Sequence, residues 1–250
     1  MHNTLLRIAY DGTNYSGFQI QENAPTVQEA LERALGTIYK QPVRITGAGR
    51  TDAGVHALGQ AANFRAPFHI GGGNLPSAVN ALLPPDIVVT GAEKVEEGFH
   101  ARYDARRKLY SYTIDRAPFP QVMKRLYCWH LPDWLNLDLM REAALLFQGS
   151  HDFSAFQVSG SPVADTWRTL YRVGLESRPE EQLLIVSFEG SGFLYRMARL
   201  ITGSLVRAAL GRLELREIKK ALQSGDPDAA GPTAPAAGLC LEKVFYDHDL

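Results

Sequence analysis

Cysteine is nearly missing from this chain, with two among 250 residues. Cys128 and Cys240 are too few and too far apart for a disulfide framework or a zinc site, which fits a reducing compartment. His56, His100, His130 and His151 have no ligand-like spacing with one another or with those cysteines, so no metal is expected. A dominant charge is missing too: 26 Lys and Arg oppose 27 Asp and Glu, and a net charge of −1 taken as a total argues against a nucleic-acid partner. No basic-then-apolar leader precedes Thr4, and no uninterrupted apolar run approaches the length of a bilayer span. The expectation is a cytoplasmic protein with no membrane association.

What is present is an ordinary globular composition. Hydrophobic residues make up 45% and charged residues 21%, enough to bury a real core in one large domain or two small ones. The charge that matters is local. Arg102, Arg106, Arg107, Lys108, Arg116 and Lys124 face only Asp104 and Asp115 in their stretch. Residues 195–220 hold Arg196, Arg199, Arg207, Arg212, Arg216, Lys219 and Lys220 against Glu214 and Glu217. The acidic tail from Asp226 compensates. Two basic stretches, one rich in tyrosine, suit phosphate contacts and stacking on an exposed base.

The most informative segment is residues 47–56, Gly-Ala-Gly-Arg-Thr-Asp-Ala-Gly-Val-His. It sets one carboxylate, Asp52, among glycines, which permit positive φ and close approach. Arg50, two residues away, can hold a nearby carboxylate ionised. A phosphate-binding loop would need Gly-Lys-Ser/Thr after the glycines, and a dinucleotide loop a third glycine where Asp52 stands, with a helix beginning there. Neither is met, and Gln60–Arg65 reads as a strand. The pattern is that of a charge-paired carboxylate presented as an oxygen nucleophile, although a plain Gly/Asp turn would look the same.

The chain around this loop reads as alternating strands and helices. Thr4–Tyr10 is a strand ending in an Asp11-Gly12 turn. Thr26 with Glu29 makes a capping box, and Val27, Ala30, Leu31, Ala34, Leu35 and Ile38 keep a helical period to about Tyr39. Val43–Thr46 and Gln60–Arg65 flank the Asp52 loop. Gly71-Gly72-Gly73 reads as a joint, Asn74–Leu83 as a helix stopped by Pro84-Pro85, and Ile87–Ala92 as a strand. That is the ferredoxin-like order β-α-β-β-α-β. Beyond a soft boundary near residue 104, a second half is similar but looser. It has a strand at Lys108–Ile114, a helix at Asp138–Phe147 and a strand pair at Thr166–Glu176 and Leu183–Glu189. Helices at Leu194–Leu210 and Glu214–Gln223, a Pro/Ala/Gly loop from Gly225 to Gly238 and a last strand at Leu239–Phe245 complete it.

Several stretches together resemble one known family. Gly49-Arg50-Thr51-Asp52-Ala53-Gly54-Val55-His56-Ala57 is similar to the signature of the tRNA pseudouridine synthase A family. Tyr10–Gln19, Phe99–Arg102 with Arg107–Tyr112, His151–Phe156, Gly192–Arg199 and Gly231–Pro235 with Gly238-Leu239 resemble its other motifs, in family order across nearly the whole chain. Small departures stand beside the site: Phe18 where tryptophan is frequent, and Ala198 and Leu200 flanking Arg199 in place of valine and asparagine.

The resemblance implies an α+β fold of two ferredoxin-like halves, residues 1–104 and 105–250, sharing an extended antiparallel sheet with an RNA-binding cleft between them. It implies isomerisation of uridine to pseudouridine at positions 38, 39 and 40 of the tRNA anticodon stem-loop, by a homodimer without cofactor or metal. Asp52 is then the catalytic nucleophile. Arg199 pairs with it, Tyr110 stacks on the flipped base, and Arg50 contacts RNA or displaces the target base. From the residues alone, Tyr110 would equally suit a half-buried strand with Tyr112 and Ile114, and Arg199 a solvated helix face. A glycoside hydrolase would require a second carboxylate near Asp52, and a non-catalytic RNA-binding protein would have no need of the Asp52, Tyr110 and Arg199 set.

Overall fold

The computed structural model describes residues 1–71, 73–158, 165–227 and 230–247. In chain order the elements are β1 (His2–Tyr10), α1 (Val27–Tyr39), β2 (Ile45–Gly47), β3 (His56–Ala66), α2 (Asn74–Asn80) and β4 (Ile87–Val95). They continue with β5 (Arg107–Asp115), β6 (Trp129–His130), α3 (Leu137–Leu145), β7 (Gly149–Asp152), β8 (Trp167–Arg178), β9 (Leu183–Gly190), α4 (Met197–Ala209), α5 (Leu215–Ser224) and β10 (Leu239–Phe245). The fold is α+β. The chain forms two compact units, one of Met1–Arg106 with Cys240–Leu250 and the other of Arg107–Leu239. A division of the chain at residue 104 would place β10 wholly with the second half; almost all of it belongs to the first unit.

In the first unit β1 is central, antiparallel to β3 on one edge and to β4 on the other. Because β1 occupies one edge of β3, the other edge takes β2 antiparallel near Phe64 and β10 parallel at His56 and Ala57. The order β4-β1-β3-β2 is the ferredoxin-like arrangement. The tail is tied into this unit by the backbone bond from Arg106 to Phe245, by Arg7 Nη1 donating to the Val244 carbonyl at 3.0 Å, and by the Tyr246 hydroxyl donating to Ala101 at 2.8 Å.

The helix α1 forms where the period placed it. Its N-cap Thr26 accepts from the Glu29 amide, and Val27, Ala30, Leu31, Ala34, Leu35 and Tyr39 are buried. Each large apolar side chain so buried contributes roughly 1.5–3 kcal/mol. Several boundaries differ from the sequence reading, among them β4, which runs on to Val95 where Ala92 was expected. β2 begins at Ile45, two residues later than Val43. α2 ends at Asn80 rather than Leu83, because the Asn80 side chain bonds both the amide and the carbonyl of Val89 on β4. β3 begins at His56, four residues before Gln60, since its first residues are paired by β10 from the far end of the chain. Of the glycine joint, Gly72 lies outside the described residues.

In the second unit β7, β8 and β9 form an antiparallel meander and β9 pairs with β5, giving the order β5-β9-β8-β7. β6 runs parallel to the end of β5. Tyr110, Tyr112 and Ile114 are buried on one face of β5, the alternation expected of them. The helix α4 is almost wholly buried and packs beside α3. It begins at Met197, three residues later than Leu194, behind an Arg196 that takes the left-handed conformation at φ 60°. β7 has no β-branched residue and had no signal in the sequence.

Candidate active site

Asp52 lies in the turn that enters β3, half-buried between a buried Thr51 and an exposed Ala53. The turn is closed by the Val55 amide donating to the Asp52 carbonyl at 3.1 Å and by Gly54 at φ 76°. What builds it is the loop after β1. Phe18 donates to the Thr51 carbonyl at 3.2 Å, and Gly54 donates to the Tyr15 carbonyl at 3.3 Å. Both approaches need glycine. A Cβ on Gly17, itself at φ 100°, would stand 2.5 Å from the Thr51 oxygen, and one on Gly12 would overlap the Val55 carbonyl. Inside, the fully buried Tyr10 hydroxyl shares a 2.8 Å hydrogen bond with Thr51 Oγ1. Burial pushes the Tyr10 phenol far above its ordinary pKa, more than its bonds to Thr51 and Gln60 lower it, so it stays neutral.

The motif Tyr10–Gln19 is therefore the frame of the Asp52 turn. The frame extends outward. Tyr15 donates to Asp86 Oδ1 at 2.6 Å, and the Asp11 amide donates to the Asp86 carbonyl at 2.9 Å, fixing the loop to the start of β4. His56 is buried, with Nδ1 3.1 Å from both the Gly12 amide and Asp11 Oδ1. Arg50, by contrast, is exposed and ion-pairs with no described residue. Gln60 Nε2 donates to the Gly49 carbonyl at 3.0 Å and holds the other arm of the turn.

In the second unit, Tyr110 on β5 is 6% exposed and meets Phe193 edge to face at 4.8 Å between ring centroids. Arg199 stands on the first turn of α4 and is half-buried, not a solvated charge. Its Nε donates to the Ala234 carbonyl at 2.7 Å, while the Ala234 amide donates to the Arg199 carbonyl at 3.1 Å. The Gly231–Pro235 motif is thus a strap that orients the arginine. The strap lies flat on α4 because Gly231 donates to Ser204 Oγ at 2.8 Å and because Gly203 has no Cβ to overlap the Pro232 carbonyl. Arg199 also acts on the titration of Tyr112. Burial raises its phenol pKa, the guanidinium lowers it in part, and its hydroxyl donates to the Pro235 carbonyl at 2.8 Å. Among the described residues no group of three or more His, Cys, Asp or Glu could hold a metal ion, and no helix is long and apolar enough to cross a membrane.

The turn thus presents one carboxylate, Asp52, on a glycine-framed loop beside a ferredoxin-like sheet. The class of enzyme follows from kinship. A family model described as tRNA pseudouridine synthase matches residues 7–104 and 143–247. A protein of Thermoanaerobacter sp. strain X514, named tRNA pseudouridine synthase A, is 46% identical over 98% of this chain and 100% of its own. One of the same name from Bacillus subtilis strain 168 is 43% identical over 96% of this chain and 98% of its own. Among solved structures the likeness is weak: a chain in a crystal structure of a Cbf5-Nop10-Gar1 complex has a TM-score of 0.37 at 13% identity, over 96% of this chain and 50% of that one. The chain belongs to the tRNA pseudouridine synthase family, and the family's reaction class is isomerisation.

Proposed function

We propose that this protein converts uridine to pseudouridine in tRNA, at positions 38, 39 and 40 of the anticodon stem-loop, with Asp52 as the nucleophile. The reaction breaks the C1′–N1 glycosidic bond and joins C1′ to C5. The C5 proton leaves, N1 gains one, and no atom or electron is left over. The balance calls for no redox cofactor, nucleoside triphosphate or metal. It calls for a carboxylate to attack ribose or base, and such groups serve as covalent nucleophiles in sugar chemistry. Tyr110 and Arg199 are proposed to bind the reacting nucleotide, and Arg50, exposed and uncommitted, to contact RNA as the target base leaves its stack. A homodimer in the cytoplasm is the setting proposed.

The observation that carries this reading is the frame of Asp52. Two glycine contacts, a buried Tyr10–Thr51 bond and the Gly54 turn all serve to present one side chain, in a chain of this family. The test is incubation of protein with unmodified tRNA carrying tritium at uridine C5. Wild type should release tritium while RNA mass stays otherwise constant. Asp52→Ala should slow release by on the order of 10⁴-fold or more, as loss of a nucleophile does. Release by both proteins at one rate would refute the assignment, and free uracil would mean hydrolysis instead.

A further inference from the structure

The geometry points to a second RNA contact in the first unit, a base-stacking platform made by Tyr103, His100 and Arg102, remote from the Asp52 turn. This rests on the proposed action on tRNA and extends it. Tyr103 is 72% exposed, so its ring is open to a partner. It is not left loose. The His100 ring stacks on it at 4.2 Å between centroids and 29° between planes. The Arg102 guanidinium lies 5.8 Å from the same ring centroid, and it ion-pairs with no described residue.

The loop that carries this stack is built rigidly. His100 donates its amide to Asp104 Oδ2 at 2.8 Å, and His100 Nδ1 faces the amides of Arg102 and Tyr103 at 3.2 and 3.3 Å. Beneath, the Ala101 amide donates to Asn63 Oδ1 at 2.9 Å, and Asn3 Nδ2 donates to the Phe99 carbonyl at 2.9 Å. The loop is therefore fixed to the sheet at the Asn3 end of β1, whereas the Asp52 turn is fixed at the Tyr10 end. Seven residues of strand put these ends about 23 Å apart. A rigid, open aromatic face with an uncommitted guanidinium beside it matches an unpaired nucleotide: the base stacks on the ring, and the arginine meets its phosphate or caps the base. Holding the ring in place beforehand lowers the ordering cost of binding. The partner is thus a nucleotide of the bound RNA distant from the one that reacts.

The experiment measures equilibrium binding of unmodified tRNA and of octauridylate by filter retention, with proteins carrying Asp52→Ala so that turnover plays no part. Tyr103→Ala should weaken binding roughly 5- to 150-fold, the range for loss of one stacked base. Tyr103→Phe should keep wild-type affinity, since it keeps the ring. Arg102→Ala should lower the slope of log affinity against log salt by about 1. The exposed ring should leave thermal unfolding unchanged in each. Binding by Tyr103→Ala equal to its parent, or equal loss in the Phe and Ala variants, overturns the platform. Wild type that binds RNA through Tyr103 yet releases no tritium overturns the isomerase reading and keeps the platform.

Discussion

Tyr10 and Thr51 show how much of this site is second-hand support for one residue. Thr51 precedes Asp52, is 7% exposed, and its hydroxyl is held by the Tyr10 hydroxyl at 2.8 Å. Tyr10→Phe keeps the ring in the core and removes the hydroxyl with its bonds to Thr51 and Gln60. A buried hydroxyl left without its partner costs about 1–3 kcal/mol, which chemical denaturation would read directly. The turn would also lose an anchor next to Asp52, the proposed nucleophile. Turnover number is expected to fall between about 10- and 100-fold, as small misplacements of a reacting group do, with tRNA affinity unchanged. A loss of affinity with turnover number intact would show that Tyr10 serves binding and not the placement of Asp52.

At the scale of elements, the strap on α4 makes the sharper claim, because one missing methyl group decides it. A Cβ at Gly203 would overlap the Pro232 carbonyl, so Gly203→Ala forces the strap away from the helix. Overpacking of this kind costs about 1–3 kcal/mol, and it should appear in thermal unfolding. The displaced strap also carries Ala234, whose carbonyl receives Arg199 Nε, so tritium release should fall with it. Gly71→Ala is the control: nothing lies within 4 Å of its added Cβ, and its stability should stay within about 0.5 kcal/mol of wild type. The strap also marks what a sequence can and cannot convey. Local periodicity located α1, β5 and α4, because their burial follows from side chains a few residues apart. The start of β3 and the whole of β7 depend on partners elsewhere in the chain, Cys240–Leu241 for one and β8 for the other, and no local pattern announces them. Asp52 was legible as a carboxylate among glycines. Its frame was not, since the glycines that matter most, Gly12 and Gly17, lie on another loop and meet it only in three dimensions.

At the scale of the whole molecule, a net charge of −1 sits uneasily with a polyanionic substrate. The resolution lies in what salt dependence counts. Affinity for a nucleic acid falls with salt according to the number of phosphates neutralised, with a slope of about 0.7–0.9 per phosphate on a log–log plot, and the protein's total charge does not enter. Many of the acids here are committed to particular cations, as in Arg106 with Asp247, Lys124 with Glu181 and Arg216 with Glu214. Arg50 and Arg102 are exposed and ion-pair with no described residue. A near-neutral chain can therefore present local cations to RNA. Titrating tRNA binding between 50 and 200 mM monovalent salt should give a slope of roughly 4 or more, and a loss of affinity of at least about 100-fold. Arg50→Ala should lower that slope by about 1 without altering protein stability. A slope near zero would mean that apolar and stacking contacts hold the RNA, and the arginines would then have to be assigned to keeping the chain soluble.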